Sequence, residues 1–317
     1  MSAQQKQEVL ALVTLTQRRS EWPLEPILCC LGVPRSVYYA WCARAQNGQL
    51  EDQPRLPTSY DRLLPDEVEA INSFALRHPK TGYRKLTYMM LDQDIACASE
   101  SAVYRVLREA DLLSRWKRSS RSPGVYTFRP TAPNQQWHTD VMYIWVGCRH
   151  YFLLSFVDAF SRYVVHHRLL LELSGRAVAT ELEAALSSCG SAKPRIVHDH
   201  GSEFCNTELR AVIKTHDLLD IRTRARHPES NGIVERFNGT VRQDSDDYYG
   251  DNYLNAERSV ARLIDKYNNV RLHAALGYFE PREVHFGNLA QRREVRRQKL
   301  ETARAQRRTQ NRSLMAA

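Results

Sequence analysis

The sequence predicts an α/β fold: a mixed-sheet domain, preceded by small all-α units of helix-turn-helix type and followed by a basic helical tail. Three observations carry this. From Asn134 onward, β-rich runs and amphipathic helical stretches follow one another in the order βββαβαβα. Before residue 113 the apolar residues recur at helical spacing. From Gln291 to Arg312 there are nine Lys or Arg and two Glu.

The chain has 317 residues, room for two or three domains with a sizeable core. Its formal net charge is +9, which favours a polyanionic partner. No apolar run approaches the length of a membrane span, and the polar N-terminus lacks a signal-peptide core. Seven cysteines are scattered with no C-x-x-C pair, which argues against a disulfide framework and a structural zinc.

The elements follow in order. Residues 2–20 read as a helix. Ile27, Leu28 and Leu31 mark a short second one. A turn at Leu31-Gly32-Val33 leads to Pro34, suited to a first helical position, with Val37, Tyr38 and Trp41 as the apolar face of the third helix. That is helix-turn-helix spacing, and residues 1–62 form one unit ending in a proline-bearing linker. Residues 63–122 form a second. Asp66–Arg77, Tyr83–Leu91 and Ser99–Ala110 are its helices, with Ser99 an N-cap. Ser114–Pro130 holds Arg115, Lys117, Arg118, Arg121 and Arg129 and no acid, a basic hinge suited to lying along phosphates; residues 123–133 are the linker proper.

The α/β domain spans residues 134–288. Trp137–Trp145, Tyr151–Val157 and Arg162–Leu171, joined by short links, read as an antiparallel meander. Ser174–Ser188 is a helix, Arg195–His198 a buried-type strand, Glu203–His216 a helix, Leu219–Thr223 a strand, and Asn231–Asp247 and Asn255–Asn268 the last helices. The tail, 289–317, shows no strong apolar stripe to pin it to the body. It is either a solvated charged extension or a nucleic-acid arm, and its one-sided charge favours the arm.

Three acids stand at the ends or middle of these elements. Asp140 interrupts a β-rich strand, where a charge is unfavourable unless paired. Asp199 follows the strand Arg195–His198. Glu235 sits on a helix whose surface is otherwise basic and amide-rich. Thirty-five residues separate Asp199 from Glu235. Each has an ordinary reading: Asp140 as a buried acceptor, Asp199 as an N-cap, Glu235 as a partner of Arg236. Together they can converge on one sheet edge. Mutual repulsion would then raise their pKa values unless divalent cations intervened. Oxygen-only donors select Mg²⁺ or Mn²⁺, and two such ions about 4 Å apart activate a water or 3′-hydroxyl against a phosphodiester. On the helix, Glu235, Asn238 and Arg242 fall on one side, and Val234, Phe237 and Val241 form the packed side.

The runs WHTDVMYI, VDAFSRYVV, HDHGSEF, HPESNGIVERFNGTVR and YNNVRLHAALGYFEPREV resemble the catalytic core of DDE transposases and retroviral-type integrases. GYRKL and VYRVLREADLL resemble the helical unit that precedes that core in IS3-type insertion-sequence transposases. The resemblance covers roughly residues 25–285. It implies an RNase H-like core with Asp140, Asp199 and Glu235 as catalytic residues and ligands of two Mg²⁺ or Mn²⁺ ions. It further implies cleavage at transposon ends and joining of the 3′-hydroxyl to target DNA. The expected setting is the bacterial cytoplasm and nucleoid, with no membrane, as a homo-oligomer on DNA and with an upstream-encoded DNA-binding partner as a further possibility. Expected DNA contacts are Asn231, Arg236, Asn238, Arg242, His200 and Arg271, with Arg118 and Arg121 of the hinge. His200 stands where the family usually has Asn or Gln, and the zinc-binding module of retroviral integrases has no counterpart. The alternatives are a DNA-binding, catalytically silent derivative and an RNase H-like nuclease.

Overall fold

The computed structural model describes residues 1–52, 60–113, 128–223, 232–246 and 248–316. The chain divides into two compact units, Met1–Ser59 and Tyr60–Ala317. Among the described residues, no helix is long and apolar enough to cross a membrane.

The first unit holds α1 (Ala3–Ser20), α2 (Leu24–Cys30) and α3 (Arg35–Gln46). Ser2 caps α1, and the Gln5 side chain returns a bond to the Ser2 N–H, so two orphan donors are satisfied reciprocally. Gly32, at φ 62°, makes the turn between α2 and α3. Val13, Ile27 and Leu28 form a small core. The expected apolar face of α3 is less enclosed than its pattern implies: α3 buries no residue, and Tyr38 packs only at the margin of this core.

The second unit opens with α4 (Pro65–Arg77), α5 (Tyr83–Asp92) and α6 (Glu100–Glu109) around Ile71, Phe74, Leu86, Met90, Val103 and Leu107. Ser99 caps α6 through a bond from the Ala102 N–H (3.3 Å). The α/β core follows, with β1 (Gln136–Val146), β2 (Arg149–Asp158), β3 (Val164–Leu170), α7 (Gly175–Ser187), β4 (Arg195–His198), α8 (Thr207–Thr215), β5 (Asp220–Arg222), α9 (Gly232–Ser245), α10 (Tyr253–Asn269) and α11 (Pro281–Phe286). The strand order is β3-β2-β1-β4-β5. β1, β2 and β3 are antiparallel, and β4 and β5 add in parallel beyond β1.

The pleat sorts the central strand. Trp137 and Val141 pack with α7 and α8 on one face. Met142, Ile144 and Val146 pack with Val234, Phe237 and Val241 of α9 and Val260 and Ile264 of α10 on the other. Asp140 belongs by alternation to the α9 face. Asn268 fastens α10 to β3: its amide accepts from the Val164 N–H (2.9 Å) and donates to the Val164 carbonyl (3.1 Å). Asp158, at the end of β2, is wholly buried and accepts from the Asn134 N–H and from both N–H and Oγ of Ser161. Burial alone would raise its pKa, but the His285 ring and these donors outweigh it and hold it below the usual carboxylate range.

The tail corrects the sequence expectation. α12 (Leu289–Ala316) is not a free arm. Buried Arg296 clasps Asp92 (2.8 and 2.5 Å) and donates to the Tyr278 carbonyl. Lys299 pairs with Asp94 (2.7 Å). Buried Arg307 takes both oxygens of Glu67 and the Cys97 carbonyl, and Arg308 takes Asp61 (2.6 Å). The helix is pinned to the edge of the α4–α6 domain by ion pairs, which a search for an apolar stripe does not register.

Candidate active site

In the β1–β4 pairing Gln136 faces Arg195, Trp137 faces Ile196 and His138 faces Val197. Asp140, inside β1, and Asp199, the residue after β4, share that same offset of 59 residues, so continuing the register brings them to one level just past the carboxyl end of β4. In-register residues of a parallel pair share a face. Here it is the face on which α9 lies, against β1. Open α/β sheets expose functional groups at this edge.

Asp140 is half-buried and accepts from the Asn238 side-chain amide (2.9 Å). Its carboxyl is pushed up to about 6, by burial first and then by the facing charges of Asp199, Glu235 and Glu203, against a bond from the Val141 backbone N–H. Asp199 accepts from the Gly201 N–H (2.9 Å), a local turn bond rather than a helix N-cap, which Asn206 supplies for α8. Buried His198 anchors this corner through its bonds to the Asp199 carbonyl (2.6 Å) and to Asp220 on β5 (2.7 Å). Glu203 folds its carboxylate back over Gly201, so close that a Cβ there would come within 2.6 Å of it. Glu235 lies on the exposed side of α9.

Asp199, Glu203 and Glu235 thus each act on the Asp140 carboxyl, and among the described residues none of the four forms an ion pair with Lys or Arg. The buried Asn238 Oδ1 and Ser155 Oγ, Ser155 lying directly across from Asp140, have no hydrogen-bond partner among the described residues. Hard oxygen donors with uncompensated charge and orphaned polar atoms fit a divalent cation of the Mg²⁺ type. The sequence reading put three acids within a few ångströms of one another. Among the described residues no three His, Cys, Asp or Glu close to that spacing, and Glu235 is the member that stands outward.

The expected DNA contacts divide. Arg236 and Arg242 on α9, and His200 next to Asp199 in the chain, are exposed. Asn238 is buried and donates to Asp140, because the i+3 position of this helix falls at the seam between α9 and β1. Arg271 stands apart, its Nη1 donating to both oxygens of Asp244 (3.1 Å each). Asn231, Arg118, Arg121, most of the basic hinge and the loop before α9 lie outside the described residues. Glu203 escaped the sequence reading, although its place in HDHGSEF was a signal for it.

Residues 130–228 match a family described as "Integrase core domain", and residues 220–281 match a second family of the same description. A 31.7 kDa protein of insertion element IS407 from Burkholderia multivorans is 30% identical over 227 residues, 69% of this chain and 80% of that protein. The putative transposase InsK of insertion sequence IS150 from Escherichia coli is 25% identical over 285 residues, 85% of this chain and 95% of that protein. The HTLV-2 integrase catalytic core domain, solved in complex with magnesium, is 20% identical with a TM-score of 0.41, covering 50% of this chain and 99% of that one. The chain belongs to the DDE transposases and integrases of the retroviral integrase superfamily, and it is a DNA transposase/integrase.

Proposed function

We propose that this chain cleaves phosphodiesters at transposon ends and joins the 3′-hydroxyl to target DNA, with Asp140, Asp199 and Glu235 as its catalytic residues. The observation that carries this is the offset of 59 shared by the β1–β4 register and the two aspartates, with Asn238 tying Asp140 to the helix that bears Glu235. Asp140, Asp199 and Glu235 would hold two divalent cations, Mg²⁺ or Mn²⁺. Such ions, once bound, activate a water or 3′-hydroxyl and stabilise the leaving oxygen. Asn238 orients the Asp140 carboxylate, the Gly201 N–H orients that of Asp199, and Glu235 would supply the third carboxylate from α9. The buried side of Asp140 keeps water from one flank, so its charge acts at low dielectric.

The helical regions 1–62 and 63–122 grip DNA, residues 123–133 link them to the catalytic region 134–288, and 289–317 is the tail. Arg236, Arg242 and His200 contact the strand being cut. The protein works as a homo-oligomer bridging two ends, in the bacterial cytoplasm.

The test is cleavage and strand transfer on the inverted repeats mapped in the flanking DNA, with Mg²⁺. Asp199→Asn should abolish both while leaving DNA binding intact. An Asp199→Asn protein that still cuts would overturn the assignment, and a preference for RNA–DNA hybrid would favour a nuclease instead.

A further inference from the structure

The α4–α6 domain meets the α/β core through α5. Tyr88 stacks on Tyr278 of the loop before α11 (4.8 Å, 13°), and Arg296 lies over both Tyr88 (4.8 Å) and Phe279 (4.0 Å). Lys85 is one turn earlier on α5, on the same face as Tyr88. It is half-buried, and among the described residues its ammonium makes no hydrogen bond and no ion pair. The charges it faces are Arg271, Lys266 and Asp244. Asp244 is already taken: Arg271 bonds both its oxygens, and Lys266 pairs with it at 3.3 Å.

Three cations therefore surround one carboxylate. The same excess is felt next door, where His273 is pushed down to about 3, by burial first and then by Arg271 and Lys85. An ammonium partly withdrawn from water without an acceptor of its own is unfavourable, and an anion bound there relieves it. A lysine suits a phosphate as a compact point charge.

We propose that Lys85, with Lys266 and Arg271, binds a backbone phosphate of DNA at the junction of the helical domain and the catalytic core. This rests on the transposase reading and extends it by naming where the substrate bridges the two domains. Asp244 lies nine residues along α9 from Glu235, which is about 14 Å at 1.5 Å per residue. A duplex lying along α9, with one phosphate per roughly 3.4 Å on each strand, puts the contact about four nucleotides from the acids.

The experiment measures binding of a duplex of arbitrary sequence by fluorescence anisotropy across a salt series in EDTA, for the wild type, Lys85→Met and Lys214→Met. Lys214 is exposed on α8, against the opposite face of the sheet, and controls for loss of one charge anywhere. Lys85→Met should reduce the slope of log affinity against log salt by about 0.9, so that a fourfold rise in salt weakens the wild type about 3.5-fold more than the variant. Its melting temperature should hold or rise, because a half-buried charge without a hydrogen-bond partner has gone. Lys214→Met should keep the wild-type slope. Equal slopes for Lys85→Met and wild type would overturn the site while leaving the catalytic reading untouched. Failure of the wild type to bind duplex would overturn both. Inorganic phosphate that raises the melting temperature of wild type but not of Lys85→Met, with equal DNA slopes, would assign the site to a free anion and overturn the proposal.

Discussion

Replacing Asp140 by Asn should stabilise the metal-free protein while destroying cleavage. The carboxyl is raised from 3.8 to about 6 in the folded state, by burial and then by Asp199, Glu235 and Glu203. Raising an acid's folded pKa means that the unfolded chain releases the proton first, so stability falls as pH rises between the two values. The penalty is absent well below pH 4 and complete above about pH 7. A shift of about 2 units at roughly 1.4 kcal/mol each bounds it at about 3 kcal/mol. Partial solvent access to the site brings an expected effect of about 1.5 kcal/mol. Asn has nearly the same shape, still accepts from Asn238, and can return a hydrogen bond to the orphaned Asn238 Oδ1. Urea denaturation in EDTA should show Asp140→Asn more stable than wild type at pH 8, with the gain roughly halved at pH 5. On a unit of this size about 1.5 kcal/mol corresponds to a rise of roughly 3–6 °C in Tm. Mg²⁺ should stabilise the wild type and not the variant. Equal stability at pH 8, or a gain that does not change with pH, would refute the reasoning that burial and then the neighbouring acids raise the Asp140 carboxyl.

Three further outcomes follow from the packing. Arg296→Met leaves Asp92 under α12 with only the longer pair to Arg292 (3.9 Å) and should destabilise the second unit by about 3 kcal/mol, read by denaturant midpoint, with Asp92→Asn in the same chain recovering part of the loss. Asn238→Leu keeps the volume but removes the donor to Asp140; strand cleavage should fall at least tenfold while duplex binding stays within twofold, on the scale of roughly 1–3 kcal/mol for one lost charge-assisted bond. Ser161→Ala strips the hydroxyl shared by Asp158 and His285 (2.7 and 2.8 Å) and should lower stability by about 1–3 kcal/mol, with the largest loss near neutral pH, where Asp158 is ionised; a pH-independent loss would point to packing alone.

Elements with a local signature are where sequence and structure agree. The Ser99 cap, the Gly32 turn, the period of Ile71, Phe74, Val103 and Leu107, and the three-strand meander all depend on neighbours a few residues away. Less was legible where a long-range partner decides. The expected helix from Glu203 begins only at Thr207, because Asn206 caps it and residues 201–205 turn beneath Glu203. Asn238 looked like a surface amide on a helical wheel, which cannot say that β1 runs against that seam. The tail looked unpinned because its anchors are Asp61, Glu67, Asp92 and Asp94, some two hundred residues upstream.

By itself the sequence determined which acids to examine, the basic character of the whole, and the order of strands and helices, since these follow from residue chemistry and short-range periodicity. Only the tertiary structure decided that β1 and β4 pair at an offset of 59, that Asn238 reaches Asp140, and that Glu235 stands outward. Register and helix docking are set by burial summed over a whole sheet face, a quantity that no single stretch of chain contains.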